Sequence, residues 1–205
     1  MIAYALTTVT RLKAFLGINV STYDSILEVI INSVTDFIEN ECDRRFKQTA
    51  NTGILLDGEG KTSMLLPQWP VKNGVTFTLY ERSSVNYGDN TWRTISSDKY
   101  RVNEDSGIIK MNSNFREGFQ NYKVDYTSGY AFENVTGTLV PLSDVGLSDL
   151  ELVVWKLAGR AYNERKSSGN VASLRLYNYA VTYSKEAYSD DEIKQVLSKY
   201  TRLSF

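Results

Sequence analysis

Between Leu27 and Phe46, apolar side chains recur three and four residues apart, at Leu27, Ile30, Ile31, Val34, Phe37, Ile38, Cys42 and Phe46. Glu28, Asn32, Asp36, Glu39 and Asp43 stand between them. A period of about 3.6 puts the first set on one side of a helix and the second on its far face. Ser21 with Asp24 three residues on has the form of a capping box and marks the start of this helix. A shorter helix precedes it: Thr8 is its cap, Val9, Leu12, Phe15 and Leu16 share one side, and Gly17 supplies the permissive backbone that ends it.

From Gly53 the period changes to two. Ile54-Leu55-Leu56 and Ser63-Met64-Leu65-Leu66 flank Asp57-Gly58-Glu59-Gly60, a hairpin signature in which glycines take the positive-φ positions. Val75, Phe77 and Leu79 alternate with Thr76, Thr78 and Tyr80; Tyr100 to Val102, Gly107 to Met111 and Tyr122 to Tyr126 follow. Short strands joined by Asn, Gly and Ser turns predict a small antiparallel sandwich or barrel.

Helical periodicity returns after Pro141. Ser148-Asp149-Leu150-Glu151 reads as a second capping box, opening a helix striped by Leu150, Val153, Val154, Leu157, Ala158 and Ala161 beside Trp155 and Tyr162. Arg175 to Tyr183 alternates, with Tyr177, Tyr179, Val181 and Tyr183 on one face. Ser189 with Glu192 caps a last short helix striped by Ile193, Val196, Leu197 and Tyr200. The expected fold is therefore α+β: a helical body of about four helices, residues 1–48 and 137–205, interrupted by an inserted β domain, residues 49–136. Because the helices are few and the last is short, neighbouring subunits are expected to complete their apolar surface, which points to a ring.

Composition narrows the function. At 205 residues, 42% hydrophobic and 23% charged, the chain has the length and composition of a globular protein rather than a disordered one. No apolar run approaches the roughly 18 residues of a membrane span, and the N-terminus has no leader pattern. The reading is of a protein made in a cytosol, where the Asn19-Val20-Ser21 and Asn134-Val135-Thr136 sequons carry no weight. The single cysteine, Cys42, rules out an internal disulfide and reads as a buried small hydrophobe. The absence of histidine removes Ser-His-Asp and Cys-His catalysis and the common zinc sites. A net charge of −1 argues against a freestanding DNA binder, though not against a protein through which DNA passes.

Candidate chemistry is thin. Gly60-Lys61-Thr62 ends like a phosphate-binding loop, but Leu55 stands where its first glycine belongs and no helix begins after Thr62. Asp57 with Glu59 lacks calcium-loop spacing, and Asp190-Asp191-Glu192 sits where a helix N-terminus favours negative charge. The 14 tyrosines lack an interleaved basic groove and read as core and subunit contacts. Arg44-Arg45 reads either as macrodipole complement at a helix C-terminus or as facing DNA or a partner's carboxylates. No catalytic, cofactor-binding or metal-ligating residue is assigned.

The seams of this pattern resemble a known family. Leu6-Thr7-Thr8-Val9, Leu12 to Ile18, Asp24 with Ile26-Leu27, Phe37-Ile38-Glu39 leading to Cys42 and Arg44-Arg45-Phe46, then Tyr122 to Tyr130, Val140-Pro141 and Trp155, together resemble the head-tail connector (adaptor, or head-completion) proteins of long-tailed phages, in their longer form with a β insertion. The resemblance implies a structural virion protein of the neck and no enzyme or cofactor. Such a protein forms a ring, commonly dodecameric, on the portal after DNA packaging, extends the channel through which genomic DNA passes, and carries the next neck or tail-completion protein. It also implies assembly in the host cytoplasm without a membrane. Portal docking is expected of the C-terminal segment, at Ile193, Val196, Leu197, Tyr200, Arg202, Leu203 and Phe205, and subunit contact at Tyr177, Tyr179, Tyr183, Arg44 and Arg45. Two other readings are a virion β-sandwich that binds carbohydrate through the aromatics of the insert, and a hydrolase, for which no nucleophile-base pair is apparent.

Overall fold

The computed structural model describes residues 5–72, 74–83, 91–131, 146–166, 173–176, 179–182 and 190–201. They fall into two compact units, one drawn from residues up to Asp43 and from Phe132 onward, the other Arg44–Ala131. As an α+β chain it has helices in the first unit and antiparallel sheets in the second.

The helical unit contains α1 (Val9–Leu16), α2 (Asp24–Glu41), α3 (Ser148–Lys166) and α4 (Asp190–Ser198), with a strand pair, Ser173–Leu176 and Tyr179–Thr182. The Thr8 hydroxyl accepts from the Arg11 N–H, and Gly17, at φ 68°, donates its own N–H to Lys13 O, so α1 begins and ends as its sequence predicts. The start of α2 differs. Tyr23 occupies the cap position but its side chain does not cap the helix, and the Asp24 N–H goes to the Ser21 carbonyl at 3.0 Å, so Ser21 closes a turn rather than a capping box.

Leu27, Ile31, Val34, Ile38 and Cys42 are buried, but Phe37 is 47% exposed while Thr35 and Glu39 lie inside. The buried face of α2 is thus rotated from the expected one. Part of the reason is polar, since Thr35 Oγ1 accepts the main-chain N–H of Leu6 at 3.2 Å and satisfies it in the interior. Leu12, Leu150, Val153, Val154, Ala158, Tyr162, Ile193 and Leu197 complete the core. The helix also ends sooner than its apolar spacing suggests: Cys42 caps it and Asp43 turns to φ 47°.

The second unit holds β1 (Thr49–Gly58), β2 (Ser63–Leu65), β3 (Thr78–Arg82), β4 (Trp92–Thr94), β5 (Tyr100–Asn103), β6 (Ile108–Met111) and β7 (Gly118–Ser128). Two antiparallel sheets, ordered β1-β7-β3-β4 and β2-β6-β5, share one core. Met64, Tyr100 and Ile109 come to it from the smaller sheet and Leu79, Tyr122, Val124 and Tyr126 from the larger, with Leu66, Val71 and Phe115 between.

The expected hairpin across Asp57-Gly58-Glu59-Gly60 does not form. β1 pairs with β7, Ile54 opposite Val124, and β2 pairs with β6, Met64 opposite Ile109. The four residues instead carry the chain from one sheet to the other. Only Gly60 among these two glycines needs its positive φ, at 73°. Gly58 serves a close approach, because a Cβ there would stand 1.9 Å from Arg116 O and 2.9 Å from the Tyr122 ring. Asp57 accepts from the Gln120 N–H at 2.6 Å and Asn121 from the Gly58 N–H at 2.8 Å, fixing the end of β1 to β7.

The two ends of this unit are joined. Tyr130 N–H donates to Phe46 O and Gln48 N–H to Tyr130 O, both at 2.8 Å. Gly129, at φ 92°, permits the approach, since a Cβ there would lie 2.6 Å from Lys47 O.

Candidate functional site

Polar side chains inside the helical unit converge on Glu151, whose side chain is only 3% exposed. Its oxygens accept from Arg11 Nε at 2.7 Å, Arg11 Nη2 at 2.8 Å and the Thr7 hydroxyl at 3.3 Å. Thr7 Oγ1 in turn accepts from the indole N–H of Trp155 at 2.9 Å. Two parallel N–H donors from one guanidinium match a carboxylate plane, which makes this a directional tie of α1 to α3. Glu151 reads in sequence as part of a capping box, yet its carboxylate faces Arg11, and the chain offered no local signal for that pairing.

Within the portal-docking set, Ile193 and Leu197 point inward and are 6% exposed each. Val196 and Tyr200 are half-buried, and the Cys42 thiol lies 3.8 Å from Leu197 O. The Tyr200 hydroxyl donates to Asp149 Oδ1 at 2.5 Å, and Lys199 Nζ sits 3.1 Å from Asp149 Oδ2. Partial burial pushes the Asp149 carboxyl up, but hydrogen bonds from Tyr200, Lys199 and the Leu150 N–H outweigh it and hold the group below its ordinary value. α4 therefore has partners within its own chain. Arg202, Leu203 and Phe205 lie outside the described residues.

Arg44 and Arg45 part company. Since α2 ends at Glu41, neither complements its macrodipole. Arg44 is buried in the β unit, its guanidinium 4.3 Å from the Trp69 ring centroid, 4.9 Å from Phe46 and 5.9 Å from Tyr130, with Nη2 donating to Trp69 O. A planar cation in an aromatic nest is a packing element rather than a surface contact. Arg45 is exposed, and its N–H donates to Gln68 Oε1 at 2.7 Å. Of the tyrosines assigned to subunit contact, Tyr177 and Tyr183 lie outside the described residues; Tyr179 begins the second strand of the Ser173–Leu176 pair.

The outer face of the larger sheet carries rings and cations together. Lys123 Nζ stands 4.3 Å from the Tyr80 centroid and 5.0 Å from that of Trp92, and Arg82 lies 4.8 Å from Trp92. Among the described residues no group of three His, Cys, Asp or Glu side chains is placed to hold a metal ion. No described helix is long and apolar enough to cross a membrane.

The geometry is one of packing and surface, and comparison with known proteins agrees. Residues 5–169 match the head completion protein family, a span that runs through both units. The chain belongs to that family. Its assignment makes this a structural protein of the virion neck, a head-tail connector, as its sequence resemblance implies. Among solved structures, a chain from the neck of an empty gene transfer agent particle computed with C6 symmetry has TM-score 0.52 at 14% identity, over 98% of this chain and 91% of that one. A chain from the virion of a native gene transfer agent particle has TM-score 0.50 at 14% identity, over 100% of this chain and 97% of that one. At such identity the likeness is one of fold. No curated protein matches the chain.

Proposed function

We propose that this head completion protein forms a ring on the portal of a long-tailed phage after packaging, extends the DNA channel, and carries the next neck or tail-completion protein. The observation that carries the reading is the family match over residues 5–169, since it takes in the helical unit and the β insertion in one alignment. The likeness in fold to a neck chain from a particle computed with C6 symmetry supports a ring rather than a solitary subunit. Assembly would take place in the host cytoplasm, and genomic DNA would pass the lumen without sequence-specific contact. A division of labour follows, with residues 1–48 and 137–205 building the ring body and residues 49–136 forming a β domain of their own.

The burial of Ile193 and Leu197 refines the docking site. They anchor α4, which leaves Val196, Tyr200 and the following Arg202, Leu203 and Phe205 to meet the portal. Subunit contact is assigned to Arg45 and the Tyr177–Tyr183 stretch, with Arg44 acting from within the β unit. A carbohydrate-binding role is less well supported, because Lys123 and Arg82 already face the rings of Trp92 and Tyr80 that a sugar would need.

The test is to add purified protein to DNA-filled heads that lack it and to image the vertex. Density on the portal and retention of DNA are expected, and removal of residues 201–205 should abolish both. Full-length protein that leaves the vertices bare overturns the proposal, while decoration by the truncated protein moves docking to the Tyr177–Tyr183 stretch.

A further inference from the structure

On one side, a single residue joins the helical unit to the β unit. Cys42, which ends α2, is fully buried, donates its N–H to Ile38 O at 3.0 Å and has its thiol 3.8 Å from Leu197 O, so it is anchored in the helical unit. Arg44 is buried in the nest of Phe46, Trp69 and Tyr130, and Phe46 itself is fully buried, so both are anchored in the β unit. Asp43 stands between them and is exposed.

Its backbone sets it apart. Among the described residues, Asp43 and Gln120 are the two other than glycine with positive φ, and Asp43, at 47°, is left-handed. A left-handed residue just past the last turn ends many helices, but the place ordinarily goes to glycine, because a Cβ is crowded there. Aspartate is among the few other residues that visit it. Gln120 is held from both sides within one unit, its N–H by Asp57 and its carbonyl by Arg82. Asp43 instead donates its N–H back to Asn40 O in α2 while the residue after it packs in the other unit. The apolar spacing of α2 runs on through Cys42 to Phe46, so the reversal at Asp43 is what takes the chain out of the helix and delivers Arg44 and Phe46 to a second core.

The other connection leaves this joint in charge. The β unit is tied down as far as Tyr130, which exchanges bonds with Phe46 and Gln48, and the helical unit has its next buried anchor at Leu147. Residues 131–146 lie between, a contour of up to about 50 Å, long enough to follow a rotation at Asp43.

We propose that Asp43 is a one-residue hinge whose left-handed backbone sets the direction in which the β unit leaves the helical unit. The inference goes beyond the connector reading and does not depend on it. Hinges are a few residues at the ends of elements that absorb a change of φ and ψ while the bodies on either side keep their packing. Cys42, Asp43 and Arg44 have that order: anchored, exposed, anchored. Aspartate suits the place better than glycine would, since glycine is as free at negative φ as at positive and would leave the direction open.

Paired spin labels on the full-length protein test this. Glu28→Cys on α2 and Lys110→Cys on β6 carry them, at exposed positions, and Cys42 is buried. Asp43→Gly should broaden the distance distribution between the labels at least about twofold, because both signs of φ are then open. Asp43→Val, whose branched side chain excludes the left-handed region, should move the centre of the distribution. Asp43→Asn, which tolerates the same backbone, should leave it unchanged. Labels at Thr94→Cys and Lys110→Cys, both within the β unit, should give one distribution in all four proteins, which shows that the unit keeps its fold. The proposal is overturned if the first pair of labels reads the same in the Asp43→Gly and Asp43→Val proteins as in the parent, or if the second pair changes along with the first. Should Asp43→Val not fold, the width seen with Asp43→Gly decides alone.

Discussion

Glu151 shows how one side chain fixes the packing of two helices. Its carboxylate is out of water, so removing Arg11 leaves a buried charge with, among the described residues, only the Thr7 hydroxyl to meet it. Loss of one partner of a buried pair costs about 3–5 kcal/mol. Arg11 is 34% exposed, which lowers the expectation for Arg11→Met to about 2–3 kcal/mol. The double variant Arg11→Met with Glu151→Leu should recover most of that, because no charge is then stranded. Urea unfolding checks both; an Arg11→Met protein within about 0.5 kcal/mol of the original would show that the pair is not structural.

Gly58 and Gly60, two residues apart, make a second contrast at this scale. A methyl at Gly58 meets Arg116 O and the Tyr122 ring, whereas at Gly60 it meets nothing within 4 Å but sits on a left-handed backbone. Gly58→Ala should therefore destabilise by about 3 kcal/mol and Gly60→Ala by about 1 kcal/mol, read from paired denaturation curves.

Among the elements, α4 has a pH-dependent attachment. The folded value of Asp149 lies below its unfolded one, so the stability it contributes is full above the ordinary aspartate range, about 3.9, and disappears as pH falls through the lower folded value. Hydrogen exchange at residues 190–200 should stay slow from neutral pH down to that range and quicken below it. Tyr200→Phe removes a donor to the carboxylate and raises its folded value towards the unfolded one, so the quickening should be smaller and complete at higher pH. A pH dependence of unchanged size would mean that Tyr200 does not hold the carboxylate down.

The elements that sequence foretells are those whose determinants are local. α1 is legible because Thr8 and Gly17 act within a turn of themselves. The phase of α2 is not, because the burial of Thr35 and Glu39 is decided by partners elsewhere in the chain. The partner of β1 is not legible for a related reason: Gly58 looks like a turn residue and is needed for the approach of Arg116, dozens of residues on. The docking and interface residues were read from position and pattern alone, which cannot distinguish the inward Ile193 and Leu197 from the outward side of the same helix. Nor could spacing foretell the nest around Arg44, whose rings come from Phe46, Trp69 and Tyr130.

At the scale of the whole chain, the β unit has its own core and its ends meet, so the two units should be separable. Residues 44–131 expressed alone should unfold in one cooperative step, and their replacement by a short bridge should leave a folded helical unit. Calorimetry of both pieces decides it; a piece without a transition would show that the units depend on each other for stability.

The bond pair between Phe46 and Tyr130 has a mechanical consequence. The chain enters and leaves the β unit at the same end of the antiparallel β1–β7 ladder, so tension applied at Arg44 and Ala131 loads the bonds of Phe46 and Gln48 to Tyr130 first, then Thr49 opposite Ser128 and the rungs beyond it in turn. A ladder pulled in this direction opens like a zipper, one pair at a time, whereas one pulled along its strands must break all its rungs together. The β unit should therefore yield at low force and pay out slack, acting as a fuse when Arg44 and Ala131 are drawn apart.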